Sequence, residues 1–406
     1  MYLIIAGELI FALPFHINRF FRPSLLEELQ ITNSMMGIAF TIYGLTALIC
    51  YFPGGYIADR FDPRKLLSFS LLLTSLGGIA LLYYPSFILL CLIYGYWGVT
   101  SILFCWSALI KATRIVGKEK QGLSFGVLEA GRGFIASIAA TIAALLFSST
   151  ILKVYVNNLF TTQFTSLSIV IFFYTSITLF SSIIIWFFYK TEVNNDINIS
   201  KKMPLRSLLK YYKIISCQAL IVFSAYSAYK GIDYYSQYFY EVLKYSKEKT
   251  AFTMSNLSYL RPICAITAGI IADRITTTKS TFFLFVFSTI SFLILSIWSS
   301  YNSLMILIIA NLTITMVAIF SLRGIYFSFF KETNIPINMT GITVGIISLI
   351  GFFPDVYIGP LFGVYLDKYP VIIAFQKCFF SLFIISLAGL CSAYYILMKK
   401  RKQFSK

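Results

Sequence analysis

The chain has 406 residues, of which 58% are hydrophobic, 12% are charged and one is histidine, and its formal net charge is +17. Soluble globular domains hold roughly 25% charged residues, so this composition excludes a body folded in water. The basic surplus sits between apolar runs and forms no stripe with interleaved aromatics, which sets nucleic-acid binding aside.

A membrane-crossing helix needs about 20 mostly apolar residues. Twelve such runs follow one another, near 2–19, 34–56, 66–84, 86–109, 121–149, 165–189, 212–240, 250–271, 280–300, 303–327, 339–363 and 372–397. They are too long and too continuously apolar for barrel strands, which alternate over about ten residues, so the predicted fold class is all-α integral membrane. Span one has no basic leader and contains Glu8, which reads as a span rather than a cleaved signal, and His16 and Arg19 fall near its outer end. Span two closes on GGYIADR (54–60), and span five carries Gly122, Gly126, Glu129 and Arg132. In span seven Tyr226, Lys230, Asp233 and Gln237 follow one another by three or four, a polar stripe that lipid would not accept and that should face a water-filled cavity. The aromatics after it, Tyr234, Tyr235, Tyr238, Phe239 and Tyr240, fit an interfacial belt. Span eight holds Arg261 and closes on AGIIADR (268–274), span ten holds Arg323, and span eleven holds Gly341, Gly345 and Asp355. Cys50, Cys91, Cys105, Cys217, Cys264, Cys378 and Cys391 are scattered singly, with no metal or redox spacing, and read as packing residues.

Lysine and arginine crowd into alternate connections, which by the positive-inside rule places both termini in the cytoplasm of a plasma (inner) membrane. The longest polar connection, KTEVNNDINISKKMPLRSLLKYYK (190–213), splits the spans six and six. The predicted organisation is an N-terminal half over 1–189, a cytoplasmic linker over 190–211, a C-terminal half over 212–397 and a basic tail over 398–406. An internal repeat supports the division: the Asp59-Arg60 pair recurs as Asp273-Arg274 at the matching topological position. Gly122 and Gly126 are echoed by Gly341 and Gly345, a spacing that predicts close backbone approach of spans five and eleven.

Gly55-x-x-x-Asp59-Arg60-x-x-x-Arg64-Lys65, between spans two and three, resembles the loop signature of the major facilitator superfamily, with Asp62 at the position usually held by glycine. The resemblance extends over the whole chain in topology. It implies two pseudo-symmetric six-helix halves that rock about a midplane site, with spans three, six, nine and twelve on the outside of the bundle. Asp59-Arg60-Phe61-Asp62-Pro63-Arg64 is similar, more narrowly, to the branch of organophosphate/phosphate antiporters and related organic-anion carriers. In that branch a basic residue late in span one and another in span seven meet the anion, positions to which Arg19, allowing a short gap, and Lys230 fall close. Lysine in place of the usual arginine offers a point charge instead of a planar two-pronged donor.

A charge at membrane depth costs at least ~2.5–3.5 kcal/mol, which makes each one a candidate functional group. Eight stand out: Glu8, Glu129, Arg132, Lys230, Asp233, Arg261, Arg323 and Asp355, none of them in spans three, six, nine or twelve. Glu129 and Arg132 are three apart and can neutralise each other as a structural or gating pair. Arg261, mid-span, calls for a buried acidic partner or an anionic ligand, whereas Arg323 is close enough to the cytoplasmic end to snorkel. The candidate substrate-binding set is Arg19, Lys230, Asp233, Arg261, Arg323, Tyr226 and Gln237. Glu8, Asp355 and Glu129 are proton-coupling candidates, and Glu8 or Asp355 could equally serve as partner to Arg261. The candidate gating set is Gly55, Asp59, Arg60, Arg64, Asp273, Arg274 and Arg132. His16, the one histidine, reads as structural.

The expected function is secondary transport of a small organic solute, an organophosphate or carboxylate anion, by alternating access. The expected partners are that substrate, a proton or counter-transported anion, and the lipid bilayer, with the carrier a monomer. No nucleotide loop, metal spacing or nucleophile constellation points to an enzyme or a cofactor. The alternatives are a carrier of a neutral or zwitterionic solute and a carrier-like sensor or partner protein that moves nothing.

Overall fold

A computed structural model describes residues 1–117, 121–159, 164–189, 211–298, 305–326 and 340–404, so nearly all of the predicted linker over 190–211 lies outside the described residues. Span one is not a single rod. It consists of α1 (Tyr2–Leu9), a five-residue π turn (Ala12–His16) and α2 (Ile17–Glu28), with a bend of 45° between its two parts. Pro14 lies in the turn and removes a backbone donor there, the usual cause of such a break. A second kink at Phe21 precedes Pro23, yet the helix continues to Glu28, well past the predicted end at residue 19.

Thr32 caps α3 (Asn33–Arg60) by accepting from the Met35 N–H at 3.2 Å. Asp62 accepts from the Arg64 N–H at 2.8 Å at the start of α4 (Pro63–Leu82), whose first turn holds Pro63. The aspartate that replaces the signature glycine is therefore a helix cap with proline just behind it. Span four runs through α5 (Phe87–Val99), a π turn (Thr100–Trp106) and α6 (Ser107–Gly117), and span five is α7 (Gln121–Ser148). Next comes α8 (Thr150–Leu159), which the sequence reading did not expect. Its exposed Ile151, Val154 and Tyr155 share one face, as in helices that lie in the membrane interface. Span six is α9 (Ser166–Phe188), opened by a reciprocal Thr165/Ser168 capping box.

Span seven is broken into α10 (Tyr212–Gly231), a 3₁₀ turn (Ile232–Tyr234) and α11 (Tyr235–Glu241), and span eight into α12 (Lys247–Ser258) and α13 (Leu260–Ile275). The rest is α14 (Thr277–Trp298), α15 (Met305–Ile325), α16 (Thr340–Gly351), α17 (Pro354–Lys368) and α18 (Val371–Phe404), the last continuing through most of the predicted tail. Among the described residues nine helices are long and apolar enough to cross a membrane, or ten with the bent span one. The other two predicted spans, seven and eight, are the broken pair that carries Lys230, Asp233 and Arg261. The fold of the described residues is all-α, as expected.

The chain forms two compact units, and they do not coincide with the two halves of the sequence: unit 1 is Met1–Val193, Asp233–Pro262 and Asp355–Val371, and unit 2 is Asn194–Ile232, Ile263–Pro354 and Ile372–Lys406. In unit 1 the small residues of α4 and α9 interlock, with Ser68 donating to the Ser182 carbonyl at 2.8 Å and Ser182 to that of Ser68 at 2.7 Å. Of the four glycines behind the expected approach of spans five and eleven, Gly126 is exposed with nothing within 4 Å of where its Cβ would lie, and the surroundings of Gly122, Gly341 and Gly345 lie outside the described residues. Within unit 1 a close backbone approach joins α3 and α17, where Gly37 abuts Gly359 and a Cβ on Gly363 would lie 2.6 Å from the Asn33 oxygen. Asp367 accepts from the Asn33 and Ser34 N–H groups at 3.0 and 2.7 Å, tying the end of α17 to the start of α3. In unit 2, Ile221, Val222, Ala225, Phe285, Leu322 and Ile347 are the centre of one buried cluster from α10, α14, α15 and α16. Outward stripes such as Phe283, Phe287, Ile290 and Ile294 on α14 are apolar and exposed, as a lipid-facing surface must be.

Candidate functional site

Two buried polar clusters lie in unit 1. The first centres on Glu8, which is 2% exposed. Arg261 reaches it through two nitrogens, Nη1 at 2.9 Å from Oε1 and Nη2 at 3.4 Å from Oε2, and Arg132 Nε lies 3.2 Å from Oε2. Glu129 pairs with Arg132 one helical turn away and stands 3.6 Å from Arg261, so two carboxylates and two guanidiniums form one neutral quartet. The mid-span arginine thus has a buried acidic partner, and of the two that the sequence allowed that partner is Glu8. His16 completes the group, with Nε2 at 3.2 Å from Glu8 Oε1. Eight residues of straight helix would separate these two by about 12 Å along the axis, and the break in span one lets them meet. Gly133 lies against Arg261 and Pro262, where a Cβ would be 3.0 Å from Arg261 Cγ, so α7 leaves room for the guanidinium.

The second cluster lies further along span one. Arg19 Nε donates to Asp233 Oδ1 at 2.5 Å. Arg22, fully buried, donates from Nε to Gln237 Oε1 at 2.8 Å, from Nη1 to Asn18 Oδ1 at 2.6 Å and from Nη2 to Asn33 Oδ1 at 3.0 Å, while its guanidinium lies 4.2 Å over the Tyr234 ring. All three acceptors are neutral amides. Gln237 passes the contact on, donating from Nε2 to Glu241 Oε1 at 2.9 Å. Among the described residues no carboxylate forms an ion pair with Arg22. Sequence reasoning missed Arg22 because span one was drawn to end at residue 19; its signal was the i, i+3 spacing from Arg19. Tyr234 belongs to this cluster too, with its hydroxyl donating to the Gly359 carbonyl at 3.3 Å, rather than to an interfacial belt.

Asp355 is half-buried in unit 1, at the start of α17, where its backbone lies 2.9 Å from the position of a Gly44 Cβ. In unit 2 Lys230 is buried near the end of α10, and Arg323 lies 3.8 Å over the Tyr229 ring. Tyr226 packs edge-on against Phe352 at 4.9 Å. Of the gating set, Gly55 has open space around it, Arg60 lies 3.9 Å over the Tyr56 ring and Arg64 is 5.9 Å from that of Trp186. Asp59 lies in the last turn of α3, and Asp273 and Arg274 are exposed near the end of α13. Arg132 stands apart from these, in the quartet. No group of three metal-ligating side chains occurs among the described residues.

Residues 4–351 match the Major Facilitator Superfamily. The inner membrane protein YihN of Escherichia coli K12 is 28% identical over 389 residues, covering 93% of this chain and 89% of the relative, and YqcE of the same organism is 26% identical over 357 residues, covering 85% and 82%. In overall structure the chain is similar to a bacterial homologue of the human lysosomal transporter Spinster in an inward-facing, occupied conformation. The TM-score there is 0.72 at 12% identity, covering 98% of this chain and 96% of that one. It is also similar to a mutant of the nucleoside transporter NupG, with a TM-score of 0.69 at 10% identity and 98% coverage of both chains.

Proposed function

This chain belongs to the major facilitator superfamily of secondary transporters, and from that premise we propose that it carries a small organic anion, a phosphate ester or a carboxylate, across the inner membrane by alternating access. The observation that carries the anion is Arg22. A buried guanidinium whose bonds all go to neutral amides leaves a positive charge uncompensated by direct pairing, in a layer where Arg19 already takes Asp233. Lys230 is a further buried cation, near the end of α10. Alternating lysine-rich connections support cytoplasmic termini. The Asp59–Arg64 loop and its Asp273-Arg274 echo would then hold the cytoplasmic side in its closed state, and the glycine contacts of α3 with α17 would seal the other.

A zwitterionic solute is the second reading, favoured by the neutral balance of the Glu8 quartet. The test is uptake by proteoliposomes containing the full chain, with glycerol 3-phosphate and gluconate as labelled probes. Uptake of at least one is expected, and Lys230→Ala should abolish it at unchanged reconstitution. Normal uptake kinetics in that variant would overturn the assignment.

A further inference from the structure

Spans one and four are each interrupted by a π turn, Ala12–His16 and Thr100–Trp106, and the two interruptions bring aromatic rings together. A π turn inserts one extra residue into a helix and re-aims the side chains beyond it, and such turns gather at functional sites. The register between the two spans is set where Leu109 packs at Gly7, its Cδ2 2.7 Å from the position of a Gly7 Cβ. Phe11 is one turn on in span one and Trp106 one turn back in span four, as antiparallel helices require, and their rings meet edge-on with centroids 6.3 Å apart. Ser70 of α4 donates to the Thr100 carbonyl at 2.7 Å and pins the second turn. Phe15 continues the surface, 6.0 Å from Phe11, stacked on Phe40 at 5.8 Å and edge-on to Tyr43 at 4.8 Å.

Phe40 and Tyr43 are buried, but Phe11, Phe15 and Trp106 are each part-exposed. Their exposed side is a wet one. The Arg132 guanidinium lies 5.5 Å over the Phe11 ring and 5.8 Å over that of Trp106. Its partner Glu129, inside the membrane-crossing segment Gly126–Ser148, has a side chain 34% exposed, which a carboxylate at that depth can be only to water. The Trp106 indole carries a second signal. Among the described residues its N–H has no acceptor, whereas the N–H of Trp97 donates to the Thr74 carbonyl at 3.0 Å. Trp106 lies within the segment Phe87–Thr113, and an indole N–H at such depth takes its partner from water or from a solute. The hydroxyls beside it have no proton to spare, since Ser101 donates to the Trp97 carbonyl at 2.6 Å and Tyr43 donates to Ser101 at 2.9 Å.

We propose that Phe11 and Trp106 are the wall against which the transported solute lays a planar aromatic ring, with the Trp106 N–H donating to an acceptor on or beside that ring. This rests on the anion reading above and adds the body of the solute to its charge. Aromatic faces favour a flat apolar ring, which packs offset or edge-on at centroid distances of about 4.5–7 Å. A polyhydroxylated solute would need a partner for nearly every hydroxyl, and a wall of apolar faces with one neutral N–H leaves most of them unpaired. The class is therefore an aromatic organic anion, an aryl carboxylate or aryl phosphate, held in preference to an open-chain anion of the same charge. Phe11 and Trp106 set that specificity, and Phe15, Phe40 and Tyr43 hold the wall in position.

The test sets phenyl phosphate against glycerol 3-phosphate on the purified full chain at constant ionic strength, reading the apparent melting temperature against probe concentration. In the wild type, half of the full shift is expected at about tenfold lower phenyl phosphate than glycerol 3-phosphate, the order of one ring stacked on an aromatic side chain. Trp106→Leu and Phe11→Leu should each cut that preference by more than half and leave the response to glycerol 3-phosphate in place. Trp106→Phe should restore it in part, because the ring returns without its N–H. If Trp106→Leu does not fold, Phe11→Leu and Trp106→Phe decide by the same reading. Equal half-shift concentrations in the wild type, a preference unchanged in the leucine variants, loss of response to both probes alike, or no shift from any ring-bearing probe overturns the proposal. An uncharged pair, phenyl and methyl β-glucoside, separates the wall from the reading beneath it. A shift by phenyl β-glucoside alone, with neither phosphate ester acting, keeps the wall and overturns the anion.

Discussion

Removing the charge of Asp233 tests the buried pair on which the second cluster is built. Asp233 accepts from Arg19 at 2.5 Å, with side chains 3% and 9% exposed, and Arg22 follows Arg19 one turn on with only amide acceptors. Breaking a buried ion pair by removing one partner costs about 3–5 kcal/mol, because the other charge stays behind unpaired. The asparagine oxygen can still accept from Arg19, which returns about 1 kcal/mol. Asp233→Asn should therefore destabilise the chain by ~2–4 kcal/mol, a large share of a total that runs to about 5–15 kcal/mol. The double variant Arg19→Gln/Asp233→Asn removes both charges and should recover more than half of that loss, a coupling within the range of about 0.5–3 kcal/mol seen for contacting residues. Reversible unfolding in mixed detergent, run on all four members of the cycle, measures this. A stability of Asp233→Asn within about 0.5 kcal/mol of wild type, the usual scatter of surface substitutions, or a double variant no better than the single, would refute the reasoning.

Three other outcomes follow from the same geometry. Gly37→Val places a branched side chain against the Gly359 carbonyl and should force α3 and α17 apart, so that a cysteine placed at Ser34, with the seven native cysteines replaced, labels faster with a thiol reagent than in the Gly37 parent; unchanged labelling would contradict the close approach. Asp62→Ala should lower stability by about 1 kcal/mol through loss of the helix cap, and Asp62→Gly by only a few tenths, as read from unfolding midpoints. Gln237→Leu removes the acceptor of Arg22 Nε and should cost about 1.5–3 kcal/mol, the worth of a hydrogen bond to a charged group, and raise the KM for the anion; equal stability and KM would show that Arg22 does not depend on this amide.

Hydropathy made the membrane class and most of the spans legible, because crossing a bilayer demands long apolar helices whatever their neighbours do. Span one shows where that signal stops. Its continuation through Arg19, Arg22 and Pro23 is too polar to score as a span, yet the polar groups are buried against Asn33, Asp233 and Gln237, partners up to 215 residues away in sequence. Glu8 and Arg261 were both recognisable as costly buried charges, but their pairing across 253 residues is a fact of packing that spacing does not encode. Small residues permit close approach, and only a facing helix decides whether it happens, as it does at Gly37 and Gly359, a contact that no spacing along the chain announced. Asp62 departed from the signature glycine with a local cause, the capping of α4, that its position just before Pro63 already implied.

The central claim is that the buried cations serve a negatively charged solute. Paired flux into proteoliposomes measures it directly, setting glycerol 3-phosphate against glycerol and gluconate against sorbitol, with Arg22→Gln beside the wild type. Uptake of an anionic member, absent for its uncharged analogue and lost in Arg22→Gln, is the expected result. Uptake of an uncharged analogue at the same rate, or full anion uptake in Arg22→Gln, would contradict it.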